Sequence, residues 1–188
     1  MIDPLNITNF DRTDADLEEF WIFCICVAGK NALTTAKAVA NLIDYPDTEG
    51  PFDSIRAMVA DGVLIDRLKD CGIGQFQRLS RCLVESVGGS LDLRTCTTSD
   101  LEEIHGVGPK TSRFFILHSR ENARYAALDT HILKYLKEQG YSTPLATPPK
   151  GPVYRKLEDI FLAEADESGM SVADFDLFLW KKYSGRST

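Results

Sequence analysis

Apolar side chains recur along this chain at intervals of three and four, the spacing of one face of an α-helix. Thr13 and Asp14 are cap candidates ahead of Leu17, Phe20, Trp21 and Cys24, which predicts a helix over residues 14–28. Leu33, Ala36, Ala40 and Ile43 share a face and predict a second over 31–43. Pro51 suits a first helical position, and Phe52, Ile55, Met58 and Val59 supply the stripe that follows. Shorter helices are expected near 63–70 and 75–87, parted by Cys71-Gly72-Ile73-Gly74. Ser99 and Glu102 have the spacing of a capping box. Helices near 110–120, 130–139, 153–166 and 172–183 complete the set. No stretch alternates Val, Ile and Thr long enough for a strand, so the pattern reads as all-α. Residues 121–127 form a short polar connection. Residues 140–152 carry Gly140, Pro144, Pro148, Pro149, Gly151 and Pro152, which forbid continuous helix and predict a surface crossing between lobes.

Composition narrows the class. A chain of 188 residues is one domain or two small lobes, and 44% hydrophobic with 26% charged residues is enough for a core. Twenty-one basic against 28 acidic side chains give a net charge of −7, which argues against a strongly basic nucleic-acid coat protein. The charge is uneven. Residues 1–50 hold three Lys/Arg against nine Asp/Glu, whereas residues 105–137 hold six (Lys110, Arg113, Arg120, Arg124, Lys134, Lys137) against Glu121 and Asp129. That local excess marks a surface able to meet phosphates. Cys24, Cys26, Cys71, Cys82 and Cys96 are odd in number and scattered, with neither a disulfide framework nor a CxxC zinc pair. The longest apolar run, Trp21 to Ala28, is too short to span a bilayer. Residues 1–12 lack a secretory pattern. An intracellular protein with no membrane partner is expected.

The chemistry concentrates in Leu101-Glu102-Glu103-Ile104-His105-Gly106-Val107-Gly108-Pro109-Lys110-Thr111-Ser112. A helix is expected to end near Ile104 and another to start at Pro109-Lys110. Between them, Gly106 and Gly108 permit positive φ and leave backbone N–H groups uncovered. Such groups at a helix N-terminus favour an anion such as a DNA phosphate, positioning a protein without reading bases. Nineteen residues after Lys110, Asp129 lies in Ala127-Leu128-Asp129-Thr130-His131-Ile132, directly before a helix. It reads either as the cap of that helix or as a catalytic acid. His105, His118 and His131 have no carboxylates at ligand spacing, so no metal site is expected.

The run from Leu101 through Ile104, Gly106, Val107, Gly108, Lys110 and Thr111, followed by Leu128-Asp129-Thr130-His131, resembles the helix-hairpin-helix DNA glycosylase superfamily. That superfamily includes endonuclease III and the oxoguanine glycosylases. The specific likeness covers residues 98–137, and weaker likeness in helix order reaches back to residue 15. Phe175-Asp176-Leu177-Phe178-Leu179-Trp180 resembles the closing helix of compact archaeal oxoguanine glycosylases. The resemblance implies a two-lobed all-α fold with an active-site cleft between the lobes. Residues 30–128 would form a helical-barrel lobe with the hairpin at about 98–120, and residues 1–29 would join 129–188 in the second lobe.

By the same resemblance, Lys110 is the nucleophile. Its neutral amine attacks C1′ of an extruded nucleotide, expels the base and forms a Schiff base, after which β-elimination nicks the strand. Asp129 is the family carboxylate that stabilises positive charge on the sugar and helps move protons, with Thr130 free to cap the helix. Gly106, Val107, Gly108, Lys110, Thr111 and Arg113 would meet the DNA backbone. The extruded base needs a stacking pocket and a wedge, for which Trp21, Asn31, Gln75, Phe76 and Trp180 are candidates. Trp21 also reads as core, and Asn31 as a helix cap. A monovalent cation on the carbonyls of Ile104, Gly106 and Gly108 is implied. Endonuclease III-like members carry an iron–sulfur cluster on four later cysteines, but no cysteine follows Cys96, so that cofactor is absent and the match moves to the cluster-free oxoguanine branch. The expected function is a bifunctional DNA glycosylase/AP lyase acting as a monomer on double-stranded DNA with an oxidised base, 8-oxoguanine favoured. A glycosylase/lyase for oxidised pyrimidines and a non-catalytic DNA-binding hairpin module are the alternatives.

Overall fold

A computed structural model describes residues 1–184 and divides into two compact units, the first of Met1–Pro4 with Asp11–Val107 and the second of Leu5–Phe10 with the chain from Gly108 onward. All regular structure among the described residues is helical.

The first unit holds α1 (Asp14–Val27), α2 (Ala32–Ile43), α3 (Pro51–Ala60), α4 (Leu64–Asp70), α5 (Phe76–Gly88) and α6 (Thr98–Glu102). Thr13 caps α1 and closes a capping box with Asp16, whose carboxylate accepts from the Thr13 N–H at 3.1 Å. Asn31 caps α2, and Pro51 opens α3. Glu18 also serves α3, accepting from the Phe52 N–H at 3.0 Å. The capping box of α6 runs from Thr97 to Asp100, not from Ser99 to Glu102 as the spacing suggested. Both pairs fit the spacing, and the chain turns at the earlier one.

From Phe20 to Cys26 every residue of α1 is buried, so the helix is enclosed rather than seated by one stripe. An α-helix apolar on all sides needs neighbours on all sides, and α2, α3 and α5 surround it. That packing corrects the expected boundary. Residues 14–27 belong with the helices that follow them instead of with residues 129–188.

The second unit holds α7 (Pro109–Ser119), α8 (Thr130–Glu138), α9 (Pro152–Ser168) and α10 (Val172–Tyr183). Its core is built from Leu117 of α7, Ile132, Leu133 and Leu136 of α8, Tyr154, Leu157 and Phe161 of α9, and Phe175 and Leu179 of α10. Residues 109–128, expected with the first lobe, are grouped here because Leu117, Ala126 and Leu128 lie in this core. Residues 140–152 are non-helical up to Pro152, as the Gly and Pro content predicts. No described helix is long and apolar enough to cross a membrane.

Trp21 has no exposed surface and donates its indole N–H to Ser86 Oγ at 3.1 Å. Truncation to Ala removes both the packing and that bond, and is expected to cost about 3–5 kcal/mol in urea unfolding. A loss below about 1 kcal/mol would show that Trp21 is not core.

Candidate active site

The second unit brings together the two residues singled out for chemistry. Lys110 is the second residue of α7, where helix geometry leaves its backbone N–H without an intrahelical acceptor. Asp129 immediately precedes α8 and is its N-cap: Oδ1 accepts from the N–H groups of His131 at 2.8 Å and Ile132 at 2.9 Å. The cap is therefore Asp129 itself and not Thr130. One oxygen does both capping bonds, which leaves Oδ2 clear of the cap. Burial pushes the Asp129 carboxyl above the usual range, the Lys110 charge acts against that rise, and Asp176 adds to it.

The extended segment that delivers Asp129 is held by side chains rather than by a neighbouring strand. The Tyr154 hydroxyl donates to the Ala126 carbonyl at 2.7 Å and accepts from the Leu128 N–H at 3.2 Å. Glu158 Oε1 accepts from the Ala126 N–H at 3.0 Å. Thr147 Oγ1 donates to the Leu128 carbonyl at 2.6 Å. Four backbone groups within three residues of Asp129 are thereby fixed. Tyr154 and Thr147 carry no motif, and only the fold shows their part in the site.

Arg113, expected on the DNA backbone, is instead built into this clamp. Its Nε donates to Glu158 Oε1 at 2.8 Å, both side chains are only 11% exposed, and its guanidinium lies 4.7 Å from the Tyr154 ring centroid. A guanidinium so enclosed and paired cannot also serve an outside phosphate. Arg124 is paired too, donating two bonds of 3.0 and 2.8 Å to Asp166, but at the surface, with both side chains more than half exposed. The basic excess of residues 105–137 is thus smaller at the surface than in the sequence.

In the first unit, the turn before α7 is shaped by Arg78 of α5. Gly106 has φ +81°, and a Cβ there would come within 3.0 Å of the Arg78 guanidinium, which donates to the Gly106 carbonyl at 3.1 Å. Val107 is buried and its N–H donates to the Ile104 carbonyl at 3.0 Å, so it offers neither side chain nor amide to a ligand. The carbonyls proposed for a monovalent cation do not fit one. The Gly106 oxygen already faces a fixed positive charge, and the Gly108 carbonyl accepts from Thr111 N and Ser112 N at the head of α7. Among the described residues, no three His, Cys, Asp or Glu side chains gather as a metal-binding set.

The base-pocket candidates scatter. Trp21 is core, which removes it from any pocket. Asn31 is spent on its cap, accepting from the Thr34 N–H at 3.1 Å. Gln75 is exposed with φ +62°, a left-handed conformation that non-glycine residues seldom hold, and its Oε1 accepts from Arg78 Nε at 2.9 Å. Phe76 is half-buried under the Lys69 ammonium, 5.3 Å from its ring centroid. Trp180 is half-buried on α10 in the second unit, together with Lys110 and Asp129. Thr111 is half-buried in the first turn of α7. Sequence reasoning weighed His118 only as a metal ligand and Asp176 only as part of the closing helix, and missed that they form a buried pair with Nε2–Oδ2 at 3.1 Å. The one signal for them was an acidic residue inside the apolar run of the closing helix.

Two outcomes test this geometry. Tyr154→Phe keeps the ring but leaves the Ala126 carbonyl and Leu128 N–H buried without the hydroxyl, and is expected to cost about 2 kcal/mol or more in thermal unfolding. Asp129→Asn keeps a good cap while removing a carboxyl that folding makes harder to ionise. Such a group binds more protons folded than unfolded, so its stabilising contribution is present at low pH and is lost as pH rises through its folded midpoint. The variant is therefore expected to be more stable than the parent at neutral pH, with the gain vanishing below the ordinary carboxylate range in denaturant titrations run across pH.

No known protein-family profile matches the sequence. Among solved structures, the chain is similar to the 8-oxoguanine DNA glycosylase of Methanocaldococcus jannaschii, at 18% identity and TM-score 0.74, covering 96% of this chain and 84% of that one. It is similar to the glycosylase/lyase of the same organism in complex with 15mer DNA containing 8-oxoguanine, at 18% identity and TM-score 0.69, covering 97% and 87%. It is similar also to the 8-oxoguanine DNA glycosylase of Thermotoga maritima, at 22% identity and TM-score 0.69, covering 97% and 87%. The chain has the fold of the helix-hairpin-helix 8-oxoguanine DNA glycosylases.

Proposed function

We propose that this protein is a DNA glycosylase with AP-lyase activity that excises an oxidised base, with 8-oxoguanine the favoured substrate, from double-stranded DNA. One observation carries the reading: Lys110 at the head of α7 and Asp129 at the head of α8 lie in one unit, near enough that the lysine charge acts on the carboxyl. An amine and a carboxyl are the two groups that base removal through a Schiff base requires. The likeness of fold to enzymes named for 8-oxoguanine supports the choice of substrate.

In this reading the Lys110 amine attacks C1′ of the extruded nucleotide as the glycosidic bond breaks and the base leaves with the electron pair. Asp129, fixed by its cap and by the Tyr154 and Thr147 hydroxyls, faces the positive charge that develops on the sugar. The carboxylate then takes a proton from the new C1′-bound nitrogen and passes it to O4′ as the C1′–O4′ bond breaks, the nitrogen lone pair closing the Schiff base. The half-buried head of α7, where helix geometry leaves the Lys110 N–H without an intrahelical acceptor, receives a phosphate, which positions the strand without selecting sequence.

The deciding experiment is borohydride trapping on a duplex carrying 8-oxoguanine opposite cytosine. The parent is expected to give a covalent band. Lys110→Gln is expected to abolish it while duplex affinity stays within a few-fold. Trapping that survives the substitution overturns Lys110 as nucleophile. A parent that traps only a preformed abasic site is a lyase for some other base, and one that traps neither is a binding module.

A further inference from the structure

The longest loop of the second unit runs over residues 139–151, between α8 and α9, and only its Thr147 has entered the reaction just described. Its tip is Leu145, where the chain bends and the side chain is 95% exposed, more than any other large apolar side chain among the described residues. A single apolar side chain partly exposed on a surface needs no explanation. One held almost wholly in water by a loop anchored at both ends does. On one side the Tyr141 N–H donates to the Leu136 carbonyl at 3.0 Å, and the Tyr141 hydroxyl donates to Glu164 Oε1 at 2.8 Å. On the other, Thr147 Oγ1 donates to the Leu128 carbonyl at 2.6 Å, and Pro148 is buried. Pro144, Pro148 and Pro149 fix φ along the same stretch. A leucine presented in this way loses little conformational freedom when something covers it.

The Thr147 bond also fixes where the tip stands. Two residue steps, a threonine side chain, that hydrogen bond and one peptide unit join Leu145 to Asp129, so their Cα atoms lie within roughly 15 Å of each other. That is four to five base-pair steps of duplex DNA at about 3.4 Å each. Around the tip the charge has one sign. Residues 139–157 carry Lys150, Arg155 and Lys156 and no acid, in a chain of net charge −7. Arg155 and Lys156 are exposed at the start of α9, whose first turn holds no acidic residue, and Val153 in that turn is exposed too. Glu158, the next acid, is buried and neutralised by Arg113, and Asp159 is the first exposed one.

We propose that residues 139–156 are a second DNA-contact element, in which Lys150, Arg155 and Lys156 meet phosphates and Leu145 enters the minor groove and wedges open a base step near the lesion. It rests on the proposed function, which brings a duplex to Asp129. Cations alone would hold any polyanion, and an exposed leucine alone would suit a protein partner. The two together, with no exposed acid between them, match a duplex, whose phosphates border a groove floored by stacked bases. Apolar side chains inserted between base steps unstack and bend the duplex. Extrusion of a nucleotide needs that unstacking, and burial of the Leu145 side chain offsets part of its cost. The three cations hold the strand in register without reading its sequence.

The test uses the full-length protein and a duplex carrying a tetrahydrofuran abasic analogue, which binds without being cut. Leu145→Ser changes an exposed side chain and is expected to leave thermal unfolding where it was. It is expected to weaken binding by about tenfold while the salt dependence stays unaltered. Leu145→Met is expected to bind within about threefold of the parent, because the two side chains are close in volume. Arg155→Gln combined with Lys156→Gln is expected to flatten the slope of log affinity against log salt by about two. A 2-aminopurine placed beside the analogue is expected to brighten with saturating parent or Leu145→Met and to stay dim with Leu145→Ser. A Leu145→Ser affinity within about twofold of the parent is too small a change for a buried leucine, and overturns the proposal in favour of a protein partner for the tip. Brightening that Leu145→Ser retains, or a salt slope that the double variant leaves unchanged, overturns it as well. Borohydride trapping judges the functional reading separately, and Leu145→Ser is expected to trap at saturating protein. A parent that binds the duplex and traps nothing overturns that reading and leaves the loop to be decided by these affinities. A parent that binds no duplex overturns both.

Discussion

The carboxyl of Asp129 must sit in a desolvated interior at a helix head, and such a group stays put only if its own backbone is held. The described residues form no sheet to do this, so the work falls to side chains from elsewhere in the second unit. Tyr154 spans the Ala126 carbonyl and the Leu128 N–H, Glu158 takes the Ala126 N–H, and Thr147 takes the Leu128 carbonyl. These bonds reach across 19 to 32 residues of sequence. Arg113 neutralises Glu158 and lies against Tyr154, so α7, which also carries Lys110, is tied to the same clamp. Placement of the amine and placement of the acid are therefore one structural problem, solved by one buried network.

That network explains why the charge pattern misleads. Arg113 and Arg124 look like phosphate ligands when residues are counted along the chain, yet each is neutralised by an acid of α9. A buried carboxylate such as Glu158 needs a cation more than a surface phosphate does, because the desolvation of an unpaired charge is far more costly than the loss of a screened surface contact. The basic excess of residues 105–137 is spent in part inside the fold, and the acidic whole is no obstacle to a local site at the head of α7.

The first unit is organised by a different requirement. Residues 20–26 form a run of large apolar side chains with almost no polar relief, and burial on all sides is the arrangement that satisfies it. Trp21 donates its indole N–H to Ser86, while burial pushes the Cys26 thiol up to about 12. These groups are chemically quiet. At the edge of the unit, Arg78 anchors both the Gly106 carbonyl and Gln75, the residue with the left-handed backbone. Backbone in that conformation persists where its surroundings hold it, which marks this loop as built and not incidental.

By itself the sequence determined the helices, because three-and-four spacing, Pro at helix heads and the Gly and Pro content of residues 140–152 act locally. It also marked Lys110 and Asp129, since the turn with its two glycines and the residue leading a helix are local features too. It could not determine which side chain caps which helix where two stood at capping distance, as at Thr97 and Ser99 or Asp129 and Thr130, because the spacing fits either. Nor could it divide the chain correctly: the fate of α1 follows from which neighbours enclose it. Only the tertiary structure decided the fate of Trp21 and Arg113, and only it joined Thr8, His118 and Asp176 over 110 and 58 residues. Hydrogen bonds between distant residues leave no period in a sequence, and the desolvation that gives a buried acid its character arises only when the rest of the chain has closed around it.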